Sequence, residues 1–293
     1  MLFAVAAYTM WGFAPLYFKA IDAIPAGEIL MHRIIWSALV LCVLIVGLRQ
    51  IGKVKQAIGS FKVLRILLLA GILLAFNWLL FIWAVNNNYL LEASLGYYIN
   101  PLINVFLGRL FLGETLRPLQ KLAVGIAAVG VLVLLVNYGS LPWIALSLAC
   151  SFAFYGLLRK QVAVDSMPGL FIETLMMLPI AVVYFFWFAE KSVNPSEMSL
   201  NLVLLIASVG FVTTAPLLCF TAAARRIKYS TLGFFQYIGP TIMFVLAAWL
   251  YNEPLSQARL ITFLFVWSAL ALFTFDSINA YRKQRKEPVM RPE

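Results

Sequence analysis

The residues best suited to recognising a polar solute are side-chain amides placed inside long apolar segments. Tyr97, Asn100 and Asn104 follow spacings of three and four residues and therefore share one helical face. An amide offers both donors and acceptors, so it needs partners wherever water is excluded. The stripe predicts either a water-filled cavity or hydrogen bonds to a neighbouring helix. We predict that the substrate-binding residues include Asn77, Trp78, Tyr97, Asn100, Asn104, Gln236 and Tyr237.

Two charged side chains, Arg33 and Glu173, lie well inside apolar segments. Each sits about one turn after the start of its segment, and the 140 residues between them place them at matching positions of two halves that are expected to be inverted, near opposite membrane faces. A charge at the centre of a bilayer costs at least about 2.5 kcal/mol, which suggests a functional role. We expect Arg33 in an outer gate and Glu173 in an inner gate, about 15–20 Å apart and too distant for an easy salt bridge. The alternative is that each side chain reaches the nearby membrane surface.

Glu173 is also the residue best placed to couple transport to protons. A buried carboxyl that binds and releases a proton would link solute movement to a proton gradient. His32, the only histidine, is the second candidate, although a packed or interfacial position is the favoured interpretation. Arg109 lies close to the end of its segment, where an interfacial anchor is expected.

Motifs for catalysis or cofactor binding are absent from the sequence. It contains neither G-x-x-x-x-G-K-[ST] nor H-E-x-x-H, and its three aspartates lie near the ends of apolar segments. Hydrolysis inside a membrane would need paired aspartates, a serine–histidine pair or a histidine metal site. Cys42, Cys150 and Cys219 do not recur at metal-ligand spacing. We therefore expect no metal, no cofactor and no enzymatic activity.

The composition places these residues in a membrane protein. The chain is 63% hydrophobic and 12% charged over 293 residues, whereas soluble domains carry about 25% charged residues. A helix needs roughly 20 apolar residues to cross a bilayer. The hydropathy pattern predicts an all-α membrane protein with ten transmembrane helices, at residues 2–18, 29–48, 64–84, 91–112, 117–136, 142–158, 168–188, 200–222, 230–250 and 256–276.

The net charge of +10 is a topology signal and does not indicate a nucleic-acid partner. Seventeen basic residues fall in alternate loops and the tail, and only Lys19, Lys191 and Arg259 fall in the remaining loops. The positive-inside rule then places both termini in the cytoplasm. The basic tail is also expected to be attracted to anionic membrane lipid.

The sequence repeats itself across its two halves. Pro101 aligns with Pro240, and Glu114 aligns with Glu253, at an offset of 139 residues. The preceding Ser/Thr-Leu-Gly motif aligns at an offset of 137, so two extra residues precede the second proline. We predict helix kinks at Pro101 and Pro240.

An odd number of helices in each repeat gives the two copies opposite orientations in the membrane, as in secondary transporters. The predicted organisation is therefore a first five-helix repeat over residues 1–137, an inverted second repeat over 138–276, and a basic cytoplasmic tail over 277–293.

The whole chain resembles the drug/metabolite transporter superfamily with two EamA-type repeats. The run from Asn77 to Val85, the run from Ser94 to Pro101, and the run from Ala222 through Arg225 and Arg226 to Thr241 are similar to those of the RarD-like permeases, described as chloramphenicol-sensitive. The resemblance implies ten helices, cytoplasmic termini, a central cavity between the halves and a bacterial inner-membrane location. It also implies export of amino acids, related metabolites or drugs.

The leading hypothesis from the sequence is a secondary active transporter that exports a small molecule by alternating access. A passive small-molecule channel is the main alternative, since inverted repeats occur in channels as well. An intramembrane enzyme is the third possibility, and the absence of catalytic motifs argues against it. The expected partners are a small-molecule substrate, membrane lipid and protons.

Overall fold

A computed structural model describes residues 1–87, 89–139, 141–189, 198–249 and 257–286. Within these ranges the chain is helical and contains no β-strand. The helices are α1 (Leu2–Lys19), α2 (Ala26–Gly47), α3 (Ile51–Ile58), α4 (Phe61–Asn86), α5 (Leu90–Leu112), α6 (Pro118–Tyr138), α7 (Trp143–Gln161), α8 (Ser166–Phe188), α9 (Leu200–Arg226), α10 (Tyr229–Phe235), α11 (Ile238–Trp249) and α12 (Gln257–Lys286).

Six of the described helices are long and apolar enough to cross a membrane. These are α2, α4, α6, α8, α9 and α12. The all-α class predicted from the sequence is therefore observed in the described residues. The short helix α3 was not predicted, and α12 continues through residues 277–286 of the predicted tail. Glu253 of the repeat and the tail after residue 286 lie outside the described residues.

The segment predicted as one helix over 230–250 is two helices. Helix α10 ends at Phe235, Gln236 and Tyr237 form a turn, and α11 begins at Ile238. The prediction of a single helix is wrong here because the turn falls within the stretch that holds the two extra residues of the second repeat. Pro240 lies in the first turn of α11, where proline costs little. Pro101, in contrast, lies inside the uninterrupted helix α5.

Helices of the first half of the chain pack mainly on helices of the second half. Helix α2 lies against α8 and α9, α1 lies against α9 and α11, and α4 lies against α7 and α8. Helix α5 packs on α7 and α10, and α6 pairs with α12. The largest described buried cluster joins α1, α2, α4, α5, α7, α8, α9 and α10, and thus forms the centre of the bundle.

Two of the helix crossings depend on glycine. A Cβ at Gly210 of α9 would lie 2.7 Å from the backbone nitrogen of Ser37 and would also overlap the backbone of Trp36 in α2. A Cβ at Gly233 of α10 would lie 3.0 Å from the carbonyl oxygen of Pro101 in α5. Because the contacts are with backbone atoms, neighbouring side chains cannot relieve them by rotating.

Charged groups join several helices at one end of the bundle. Asp165, just before α8, pairs with Lys53 of α3 at 2.7 Å and with Arg225 of α9 at 2.6 Å. Hydrogen bonds from Lys53 and Arg225 hold the pKa of the Asp165 carboxyl below its ordinary value. Since Asp165 is about half exposed, at 47%, solvent screens these pairs and each contributes little stability.

The start of α10 is capped from the first half of the chain. One carboxylate oxygen of Glu114 accepts from the backbone N–H of Tyr229 at 2.5 Å, and the other accepts from the backbone N–H and the hydroxyl of Ser230 at 2.9 and 2.8 Å. These bonds satisfy donors that have no partner within the helix. The Cβ-free Gly108 leaves room for the carboxylate.

Candidate functional site

A small cavity with several polar side chains in its wall lies between α2, α4, α8 and α9. Its volume is about 40 Å³, enough for a few water molecules at roughly 10–15 Å³ each. Most of its wall is apolar. The polar lining residues are Arg33, Ser37, Glu173, Thr174 and Thr214.

Arg33 enters this cavity as a buried cation. Its side chain comes from α2, the residue is only 6% exposed, and its guanidinium carbon lies 4.1 Å from the centre of the Trp78 ring on α4. Among the described residues no carboxylate forms an ion pair with Arg33, and its Nε has no hydrogen-bond partner. The closest described support for the charge is the aromatic face of Trp78.

Arg33 and Glu173 both line this cavity. Each lies near the start of its helix, and the two helices, α2 and α8, pack directly on each other. Their roles in gating stay predictions. Arg33 and Glu173 were expected not to form a salt bridge with each other. Glu173 forms its ion pair with Arg159.

Glu173 is paired with Arg159, which lies just beyond the predicted helix over residues 142–158. An oxygen of Glu173 lies 3.1 Å from Nη1 of Arg159, and the two side chains are 2% and 0% exposed. The hydroxyl of Tyr155 donates to the other Glu173 oxygen at 3.5 Å. Nη2 of Arg159 donates to the carbonyl of Ser166 at 3.1 Å. The carboxylate and its cation thus form a buried pair on one side of the cavity.

Space for Arg159 is provided by a glycine. A Cβ at Gly169 in α8 would overlap the guanidinium of Arg159, with its terminal carbon only 2.8 Å away. Arg159 lies in the last turn of α7, where a basic residue is ordinary, so its type and position gave no signal of burial. Ser166 and Gly169 at the start of α8 lie against the guanidinium and help to cover it.

The amides predicted to bind substrate form hydrogen bonds between helices in this structure. Asn77 of α4 donates to the carbonyl of Leu148 at 2.8 Å and to Ser151 of α7 at 2.9 Å. Asn100 of α5 donates to the carbonyl of Ala149 in α7 at 2.6 Å. Neither borders the cavity that holds Arg33. Hydrogen bonding between helices, the alternative left open by the sequence, describes their present contacts.

Three more of the predicted binding residues, Asn104, Gln236 and Tyr237, form hydrogen bonds that reach the turn between α10 and α11. Asn104 donates to Asn100 at 3.0 Å and to Gln236 at 3.4 Å. The hydroxyl of Tyr237 donates to the carbonyl of Tyr98 at 3.3 Å. The side-chain oxygen Oδ1 of Asn104 is buried and has no hydrogen-bond partner among the described residues.

An aromatic chain links the cavity to this polar region. The Trp78 ring, which faces Arg33, lies 6.3 Å from Phe81, and Phe81 lies 5.8 Å from Tyr97. Trp78 and Tyr97 were predicted as binding residues, and the structure connects them through Phe81. His32 is elsewhere: its ring packs edge-on against Phe185 at 5.4 Å and does not line the cavity.

Comparison with known proteins gives consistent matches over the length of the chain. Residues 1–136 match the model of the EamA-like transporter family. The chain is 53% identical to protein RarD of Escherichia coli K12, with 98% of this chain and 97% of the relative covered. It is also 53% identical to an uncharacterised transporter of Vibrio cholerae, with 98% and 95% covered.

More distant matches agree. The chloramphenicol-sensitive protein RarD of Pseudomonas aeruginosa is 29% identical over 99% of this chain and 98% of the relative. A solved crystal structure with 18% identity superposes with a TM-score of 0.72, covering 94% of this chain and 96% of that one. At this identity the match shows a shared fold only.

Proposed function

Because the chain belongs to the RarD-like permeases of the EamA-type drug/metabolite transporters, we propose that it exports a small polar metabolite or drug across the bacterial inner membrane by alternating access. It is a multi-pass membrane protein of a transporter family. The observation that carries the mechanism is the charged cavity enclosed by four helices. We further propose that both termini face the cytoplasm.

The helix packing supports two inverted five-helix repeats. Pairing the helices in order matches α1 with α7, α2 with α8, α4 with α9, α5 with α10–α11 and α6 with α12. Exchanging each helix for its counterpart turns the α1–α9 contact into α7–α4, the α2–α9 contact into α8–α4, and the α1–α11 contact into α7–α5, all of which occur. This is the pattern expected of a pseudo-two-fold axis in the membrane plane.

The distribution of apolar helices supports the same repeat. The six helices that qualify as membrane spans form three matched pairs, α2 with α8, α4 with α9 and α6 with α12. Arg33 and Glu173 are themselves separated by 140 residues, close to the repeat offset, and both border the one cavity. Substrate sites of inverted-repeat transporters lie at such repeat interfaces.

The size of the cavity favours alternating access over a permanently open channel. Its volume of about 40 Å³ is far below the roughly 300–1,000 Å³ of small-molecule sites. A metabolite can therefore enter only when helices around the cavity move apart. A passive channel, the alternative, would need a continuous wide path.

We propose that protons drive this movement through Glu173. The carboxyl lines the cavity and holds the buried cation of Arg159 at 3.1 Å. Protonation of Glu173 would remove the negative partner of Arg159 and thereby alter the contact between α7 and α8. An alternating mechanism requires that the proton bind more tightly to one arrangement of the helices than to the other.

The test is transport into proteoliposomes with an imposed pH gradient and a panel of labelled metabolites. We expect at least one solute to accumulate against its own gradient. Glu173→Gln should abolish this uphill accumulation but retain exchange of solute for solute, because exchange needs no proton step. Solute that only equilibrates in wild-type vesicles would indicate a channel, and normal pH-driven accumulation by the variant would remove Glu173 as the coupling group.

A further inference from the structure

We propose that Arg33 is a binding site for the carboxylate of a monoanionic substrate. This inference rests on the proposed transport function and names the chemical class of solute that the cavity accepts. It assigns to Arg33 a direct contact with the substrate in place of a gating role.

The first observation is that Arg33 is a buried cation without an anion. The residue is 6% exposed and lines the cavity, and no described carboxylate pairs with it. An unpaired charge is costly to bury, and a single cation–π contact offsets only part of that cost. A buried arginine in a cavity wall is therefore stabilised by any anion that enters.

The second observation is the charge balance of the cavity wall. Glu173, the acidic residue of the wall, is already paired with Arg159 at 3.1 Å. Arg159 and Glu173 together are neutral, so Arg33 leaves the described wall with one positive charge. A ligand with one negative charge would neutralise it, whereas a doubly charged phosphate would leave an excess negative charge inside the membrane.

The third observation is the geometry around the guanidinium. Trp78 covers one face of the Arg33 side chain, with the ring centre 4.1 Å from the guanidinium carbon. An anion is therefore expected to approach the edge of the group, where two parallel N–H donors match the two oxygens of a carboxylate. A planar carboxylate fits this arrangement better than a tetrahedral anion.

A further donor is available in the same wall. The hydroxyl of Thr214 on α9 is buried, 2% exposed as a residue, and has no partner among the described residues. Ser37, one turn after Arg33 on α2, donates only a long bond of 3.4 Å to the carbonyl of Gly210. Arg33 and Thr214 therefore approach the cavity from two packed helices with unused hydrogen-bonding capacity.

The experiment measures the thermal stability of the purified protein with propionate and with its neutral isostere propionamide, at constant ionic strength. We expect propionate to raise the melting temperature in a saturable manner and propionamide to have no effect. Arg33→Gln should weaken propionate binding about 10- to 100-fold, because a hydrogen bond to a charged group contributes about 1.5–3 kcal/mol. Arg109→Gln, an exposed position on α5, is the matched control and should bind as wild type.

Thr214→Val tests the site without removing a charge. It preserves the shape of the side chain and should weaken propionate binding several-fold.

The proposal would be overturned if propionate and propionamide stabilised the protein equally, or if neither stabilised it. It would also be overturned if Arg33→Gln and Thr214→Val both bound propionate as tightly as wild type. If Arg33→Gln does not fold, the Thr214→Val and propionamide results decide. Binding without any transport would contradict the proposed function only, and transport of neutral solutes without carboxylate preference would contradict this inference only.

Discussion

The buried pair of Arg159 and Glu173 leads to a prediction at the scale of single residues. Removing one partner leaves the other charge buried, which typically costs about 3–5 kcal/mol. We expect Arg159→Met and Glu173→Gln each to lower the melting temperature strongly, and the double variant to be more stable than the sum of the two losses predicts. The measurement is thermal unfolding of all four proteins in one detergent.

Arg109→Met is the matched control, because Arg109 is exposed and forms no ion pair among the described residues. It should leave the melting temperature almost unchanged. Strictly additive losses for Arg159→Met and Glu173→Gln would show that the two charges do not depend on each other.

Sequence reasoning identified part of the charged site and missed the rest for a physical reason. Arg33 and Glu173 were found because a charge inside an apolar segment is unusual. Arg159 and Tyr155 were missed because a basic residue at a helix end and a tyrosine in an apolar helix are ordinary. Their burial results from tertiary contacts with other helices, which residue spacing does not encode.

At the scale of helices, Gly210 controls the approach of α9 to α2. A Cβ there would overlap the backbone of Trp36 and lie 2.7 Å from the nitrogen of Ser37. We expect Gly210→Ala to push the two helices apart and to lower the melting temperature, with a loss of about 1–3 kcal/mol typical of overpacking. Thermal unfolding measures this effect.

Gly125→Ala provides the control, since no atom lies within 4 Å of a Cβ at that position in α6. Alanine favours helix more than glycine does, so this variant should be as stable as wild type or slightly more stable. Gly210→Ala with the stability of Gly125→Ala would mean that α2 and α9 can separate at little cost.

The helices themselves were largely predictable, and their interruptions were not. Long apolar runs indicated where helices lie, but the turn at Gln236 and Tyr237 appeared in the sequence only as a two-residue difference between repeat offsets. The amide stripe on α5 indicated correctly that its face needs partners. Whether those partners are water or another helix depends on the distance between helices, which a single sequence does not specify.

At the scale of the whole molecule, the charge bias predicts the orientation in the membrane. A reporter that is active only outside the cytoplasm should be silent when fused after Glu293 and active when fused after Asn137. The reason is that basic loops are retained in the cytoplasm, and an odd number of crossings separates the two fusion points. The opposite pair of results would invert the proposed topology and, with it, the direction assigned to export.

The cap of α10 also has a consequence for how the protein is made. Glu114 lies 115 residues before Tyr229 in the chain. At synthesis rates of about 5–20 residues per second, its carboxylate leaves the ribosome roughly 6–23 s before the helix end that it binds. The first half therefore already holds the acceptor when the second half enters the membrane. If the C-terminal half were made on its own, α10 would begin with the backbone N–H groups of Tyr229 and Ser230 unpaired. Because the N-terminal half is synthesised first, the C-terminal half can assemble onto it.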